Sequence, residues 1–255
     1  MKWVGVMLFL LAQAVYAGGS TNIFLRTSDD VEIAATYYPA SSDAKSPAII
    51  LIHEAGRTRE IWAPLAALLQ ENGIAALAID LRGHGESIRR LAANGPMRVD
   101  LQSFTQHDYQ DMLLDLNAAF DWLNGQPGVD ADRVALLGSV LGANLALRYA
   151  LFNEDIAALV LLSPVIDYQG LKADEAMDRL GPVPFRIVTS AGDNIPFASA
   201  KKLIELRQKA GGKLDGKELI ASTGTLRGTD LLRGVSDLTP QIVNWLKDRL
   251  RAPTP

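Results

Sequence analysis

The feature that most constrains the fold is a series of short, almost uninterrupted apolar runs, each the length of a strand, separated by stretches with apolar residues at helical spacing. The runs are residues 48–53, 74–80, 134–137, 157–162, 185–189 and 217–221. A strand that is apolar at successive positions has both faces buried, as in a parallel sheet whose helical crossovers cover it on either side. Residues 62–70, 104–123, 141–151, 198–209 and 238–250 supply the helices. In the second of these, Tyr109, Leu113, Leu116, Phe120 and Leu123 fall on one stripe at steps of three and four. Ahead of the alternation, residues 23–27 and 31–38, separated by Ser28, Asp29 and Asp30, predict an antiparallel hairpin. The expected fold class is α/β, a mostly parallel central sheet with helices on both faces and an N-terminal hairpin. Residues 167–184, with scattered charges and with Pro182 and Pro184, interrupt the alternation and are expected to form a short cap.

The N-terminus has the order of a secretory signal. Lys2 precedes an apolar run over 3–11, and Val15 and Ala17 occupy the two positions that a signal peptidase reads. We expect residues 1–17 to be removed near Ala17, leaving a single domain over 18–255 that is exported, periplasmic or secreted. The apolar run is shorter than the roughly 20 residues that cross a bilayer, so no stable membrane anchor is expected after cleavage. Loss of Lys2 leaves 24 basic residues against 29 acidic ones. A mildly acidic chain with no basic run is a poor match to nucleic acid. The absence of cysteine excludes disulfides, thiol catalysis and thiolate metal sites. No histidine pair has metal-site spacing and no carboxylate loop is of calcium type, so neither metal nor cofactor is expected.

Three stretches carry the chemistry. Ile50-Leu51-Ile52-His53-Glu54-Ala55-Gly56 is a strand running into a loop. Ala78-Ile79-Asp80-Leu81-Arg82-Gly83-His84-Gly85-Glu86-Ser87 is a strand and turn. Val134 to Asn144, through Gly138-Ser139-Val140-Leu141-Gly142, is a strand, tight turn and helix start. In order and spacing they resemble the α/β-hydrolase superfamily, in particular its small dienelactone-hydrolase-like and serine-aminopeptidase-like members. The resemblance implies that the loop after Ile52 lends a backbone N–H to an oxyanion hole. It also implies that Gly138 and Gly142 frame a nucleophile elbow, Gly-x-Ser-x-Gly.

The residue at the apex of that elbow is Val140, which has no proton to give up and no lone pair. Positive φ is costly for a β-branched side chain, so a relaxed turn is expected here. The resemblance places the triad acid at Asp193, in Ser190-Ala191-Gly192-Asp193, and the triad histidine at Arg227, in Leu226-Arg227-Gly228-Thr229. Arginine does not deprotonate near neutral pH and cannot shuttle protons. His53, His84 and His107 all precede the elbow.

The candidate binding residues are His53 and Glu54, Ser139 and Leu141 on either side of the apex, and Asp193 with Arg227. An Asp193–Arg227 ion pair has two readings, a grip on an anionic group or a plain salt bridge between loops. Ser139, one residue early, should face away from the pocket, Ser163 reads as a loop hydrogen bonder, and Glu54 is expected to pair with Arg57, Arg59 or water. The functional expectation is an exported α/β-hydrolase-fold protein without Ser-His-Asp catalysis that binds a small molecule or a protein partner. The alternative is a hydrolase of carboxylic esters or similar acyl compounds with a non-standard site.

Overall fold

The computed structural model describes residues 19–41 and 44–251. The expected leader and its cleavage point lie outside them. The described residues begin with the hairpin β1 (Thr21–Arg26) and β2 (Val31–Tyr38), then β3 (Ser46–Ile52), α1 (Ala63–Glu71) and β4 (Ala75–Ile79). A second hairpin follows, β5 (Arg89–Ala92) and β6 (Gly95–Arg98), and leads to α2 (Gln106–Asn124), β7 (Val129–Ser139), α3 (Leu141–Phe152) and β8 (Ile156–Leu162). Next come the two-residue strands β9 (Asp167–Tyr168) and β10 (Leu171–Lys172), then α4 (Ala173–Arg179), β11 (Phe185–Ser190) and α5 (Asn194–Lys209). The last elements are β12 (Leu219–Ser222), α6 (Asp230–Gly234) and α7 (Leu238–Arg249).

One large sheet runs β12-β11-β8-β7-β3-β4-β2-β5-β6, with β1 also paired to β2. From β12 to β4 every neighbouring pair is parallel, and β2 joins β4 antiparallel. This is an α/β-hydrolase architecture with an N-terminal antiparallel hairpin. Alternate residues of the central strands feed two cores. Ala48, Ile50 and Ile52 pack toward α2, α3 and α5, whereas Ile49 and Leu51 pack toward α1 and α7. Both faces are covered, which is why these strands read as unbroken apolar runs.

Several elements depart from expectation for identifiable reasons. Hairpin β5–β6 was not expected because β6 is exposed throughout and the pair carries Arg89, Arg90 and Arg98, so it has no apolar signature. Pro96 is tolerated there because β6 is an edge strand. Helix α2 begins at Gln106, after a capping box between Thr105 and Asp108. Its buried face runs through Met112, Asp115, Leu116 and Ala119, leaving Tyr109 and Leu113 half-buried. Asp115 turns inward because Arg82 meets it there, with Nε to Oδ1 at 2.7 Å and the backbone N–H to Oδ2 at 2.9 Å. Helix α5 starts at Asn194, since Pro196 in its first turn has no hydrogen bond to lose. Within 167–184, Leu171, Ala173, Ala176 and Met177 are all buried in the core shared with α2 and α3.

Candidate functional site

The carboxyl ends of β3, β7, β8 and β11 converge on one well. At its centre β7 turns into α3 through Val140, which has φ 46° and ψ −100°. The relaxed turn expected from a valine is therefore not found. Backbone packing holds the strained one. A Cβ on Gly138 would stand 2.6 Å from the nitrogen of Ala143, and one on Gly142 would stand 2.8 Å from the carbonyl oxygen of His53 and closer still to that of Ile52. The N–H of Val140 donates to Leu162 O at 2.9 Å, and its carbonyl accepts from Asn144 N at 3.1 Å. None of these contacts involves the side chain at 140, so the turn is held without help from the apex side chain.

Across the well, the loop 225–229 is tied to three strand ends by polar contacts. Arg227 Nε donates to Asp193 Oδ2 at 2.6 Å and Nη2 donates to Asp193 Oδ1, a two-point ion pair. Asp193 is buried and Arg227 is half-exposed, and the carboxylate raises the Arg227 pKa above its ordinary value. Gly228 N–H donates to Ser163 Oγ at 3.0 Å, and Thr229 Oγ1 donates to Glu54 Oε1 at 2.5 Å. Gly228 has φ 57° and no room for a side chain. Ser139 Oγ lies 2.6 Å, Val140 Cγ2 3.2 Å and Glu54 Oε1 3.3 Å from where its Cβ would be. Ser139 Oγ and Glu54 Oε2 are buried without a hydrogen-bond partner among the described residues.

His53 is fully buried with both ring nitrogens occupied. Nε2 accepts from Leu81 N–H at 3.0 Å and Nδ1 faces Glu54 O at 2.8 Å, which places the proton on Nδ1. Burial drives its pKa down to about 3, with His84 in edge contact adding to the effect. His53 thus orders the loop after β3 and is unavailable to a ligand. An open groove of about 550 Å³ starts next to Asp193, between Val165, Ile166 and Asp167 on one side and Asn194, Ile195 and Ala198 of α5 on the other.

The family profile described as serine aminopeptidase, S33, matches residues 43–208, which include the elbow and Asp193. The chain belongs to this family. Among curated relatives, an uncharacterized protein of Mycobacterium tuberculosis is 31% identical over 143 residues, covering 56% of this chain and 45% of its own length. The polyketide transferase grgF of a Penicillium species is 28% identical over 151 residues, covering 59% of this chain and 47% of its own. The chain thus spans about half the length of these curated relatives. Among solved structures, that of the Penicillium α/β hydrolase GrgF superposes with a TM-score of 0.74 at 18% identity, covering 92% of this chain and all of that one. An esterase of Pyrococcus furiosus gives 0.70 at 16% identity, covering 91% of both chains.

In this member of the serine aminopeptidase family, Val140, Asp193 and Arg227 come together as the resemblance implied, with Glu54 and Ser139 beside them. Two of the candidate binding side chains are withdrawn from any ligand, His53 by its two hydrogen bonds and Leu141 by complete burial. Ser139 is also fully buried, beneath Gly228 rather than facing away from the well. Glu54 meets Arg57 at 3.8 Å but bonds Thr229, while Arg59 turns to Asp80 and Glu86. Thr229 was not expected in the site. Its partner lies 175 residues away in sequence, and no local pattern signals such a pair. Ser163 is a loop hydrogen bonder, as its sequence position predicts.

Proposed function

We propose that this is an exported α/β-hydrolase-fold protein that binds a small molecule or a protein partner and lacks Ser-His-Asp catalysis. The observation that carries the reading is Val140 at the apex of an elbow whose strained geometry is otherwise intact. A hydrocarbon there cannot form an acyl intermediate. Arg227 supports it, because its guanidinium takes both carboxylate oxygens of Asp193 and holds no transferable proton. Loss of one triad member costs several powers of ten in rate, and loss of a second adds little. The groove beside Asp193 offers space that a small molecule would occupy. Export rests on the leader read over residues 1–17.

A second reading is hydrolysis of a carboxylic ester or similar acyl compound at a non-standard site. It is favoured by the unpartnered Ser139 hydroxyl, which lies with the Glu54 carboxylate around Gly228, and by a relative named thiohydrolase aneE, 29% identical over 143 residues. Burial of Ser139 weighs against it. Turnover of p-nitrophenyl butyrate separates the two. Wild type, Val140→Ser and Arg227→His should be silent, and the double variant should gain activity because acid, base and nucleophile are then all present. Wild-type turnover abolished by Ser139→Ala would establish the second reading instead.

A further inference from the structure

Asn144 lies in the first turn of α3, one turn beyond Val140, and is fully buried. Its side chain is used up by contacts outside its own helix. Nδ2 donates to the carbonyl of Val165 at 2.8 Å and to that of Leu171 at 2.7 Å, and Oδ1 accepts the N–H of Val165 at 3.1 Å. A buried amide is tolerated only when its donors and acceptor are met, and asparagine has little preference for a helix interior. Its presence here is explained by what it reaches.

What it reaches is a strap, residues 165–172, that forms one wall of the groove through Val165, Ile166 and Asp167. The strap's other hydrogen bonds run mainly within itself and to the start of α4, while Leu171 packs in the core and Tyr168 lies edge-on to Tyr109 of α2. Gly170 N–H meets Asp167 Oδ1 at 2.7 Å, Ala173 N–H meets Ile166 O at 2.8 Å, and among the described residues β9 pairs only with β10. Asn144 grips it at both ends, at Val165 and at Leu171.

We infer that Asn144 is the positioning residue of the groove, fixing the strap, and with it the groove wall, to the helix that begins at the elbow. The inference rests on the groove's being the ligand site. The amide thereby couples the width of the groove to the position of α3, and the strap moves as part of the elbow rather than as a free lid.

The absence of cysteine makes single-cysteine reporters clean. Ile166→Cys reports on the strap and Ile195→Cys on the opposite wall. Each is placed in the wild-type and the Asn144→Asp background and labelled with a maleimide at fixed pH. Aspartate keeps an acceptor for Val165 N–H but loses both donors and turns an oxygen toward two carbonyls. Labelling at 166 should accelerate at least tenfold, labelling at 195 should stay within twofold, and affinity for the apolar fluorophore N-phenyl-1-naphthylamine should fall at least fivefold. Equal labelling at 166 in both backgrounds overturns the inference, and so does parallel acceleration at 166 and 195, which marks general loosening. If the fluorophore binds neither protein, the ligand-site reading of the groove fails while the thiol rates still decide whether Asn144 holds the strap.

Discussion

The elbow at Val140 and the loop 225–229 face each other across Gly228, yet they are fixed by different physics. The elbow is held by backbone atoms in contact with backbone atoms, and Gly138 and Gly142 are the residues that permit it. The loop is held by side chains, with Arg227 on Asp193, Ser163 on Gly228 and Thr229 on Glu54. A wall built from backbone contacts keeps its geometry when the apex residue changes. A wall built from side-chain pairs keeps its position only by finding new pairs, and the guanidinium on Asp193 is one. On the proposed reading, the scaffold of a catalytic site persists while its chemical positions hold residues unable to transfer a proton.

The largest test of this contrast is Gly142→Ala. Its Cβ would collide with the carbonyls that end β3, and unfolding in urea should show a loss of about 3 kcal/mol or more. A loss under 1 kcal/mol would mean that the elbow is not held by close backbone approach. Next in size is the pH response of His53. Its folded pKa of about 3 lies below the ordinary 6.5, so protons bind the unfolded chain preferentially. Its contribution is fully present above pH 6.5 and is lost as pH falls toward 3, about 2 kcal/mol by pH 5. In His53→Gln the pH dependence of the urea midpoint over that interval should flatten.

Arg227→Ala strands the buried carboxylate of Asp193. Because Arg227 is half in water, the expected loss is only about 1.5 kcal/mol, and restoring stability by adding Asp193→Asn would confirm that the pair is the cause. The smallest expected effect has the opposite sign. Val140→Gly relieves a positive φ at a β-branched residue and, after the entropy cost of glycine, should raise stability by about 1 kcal/mol. A loss there would show that the apex is not strained.

The parallel sheet was legible because its strands are buried on both faces, and burial leaves a compositional mark. The elbow was legible because only glycine satisfies the approach at 138 and 142. The strain at Val140 was misjudged because local preference says what valine favours on its own, whereas the conformation is imposed by β3, α3 and the end of β8. Hairpin β5–β6 and the inward turn of Asp115 were hidden for a related reason. Charged residues read as surface until the partner that neutralises them, here Arg82 or Asp29, is seen in space. The Thr229–Glu54 and Asn144–strap contacts depend on tertiary proximity alone.

The central claim is that no activated nucleophile stands in the well, and a fluorophosphonate probe tests it most directly. Incubation of the folded protein followed by intact-mass analysis should show no adduct, while Val140→Ser/Arg227→His should take up one equivalent. Stoichiometric modification of the wild-type chain, mapped to Ser139 or to any other hydroxyl lining the well, would contradict the account.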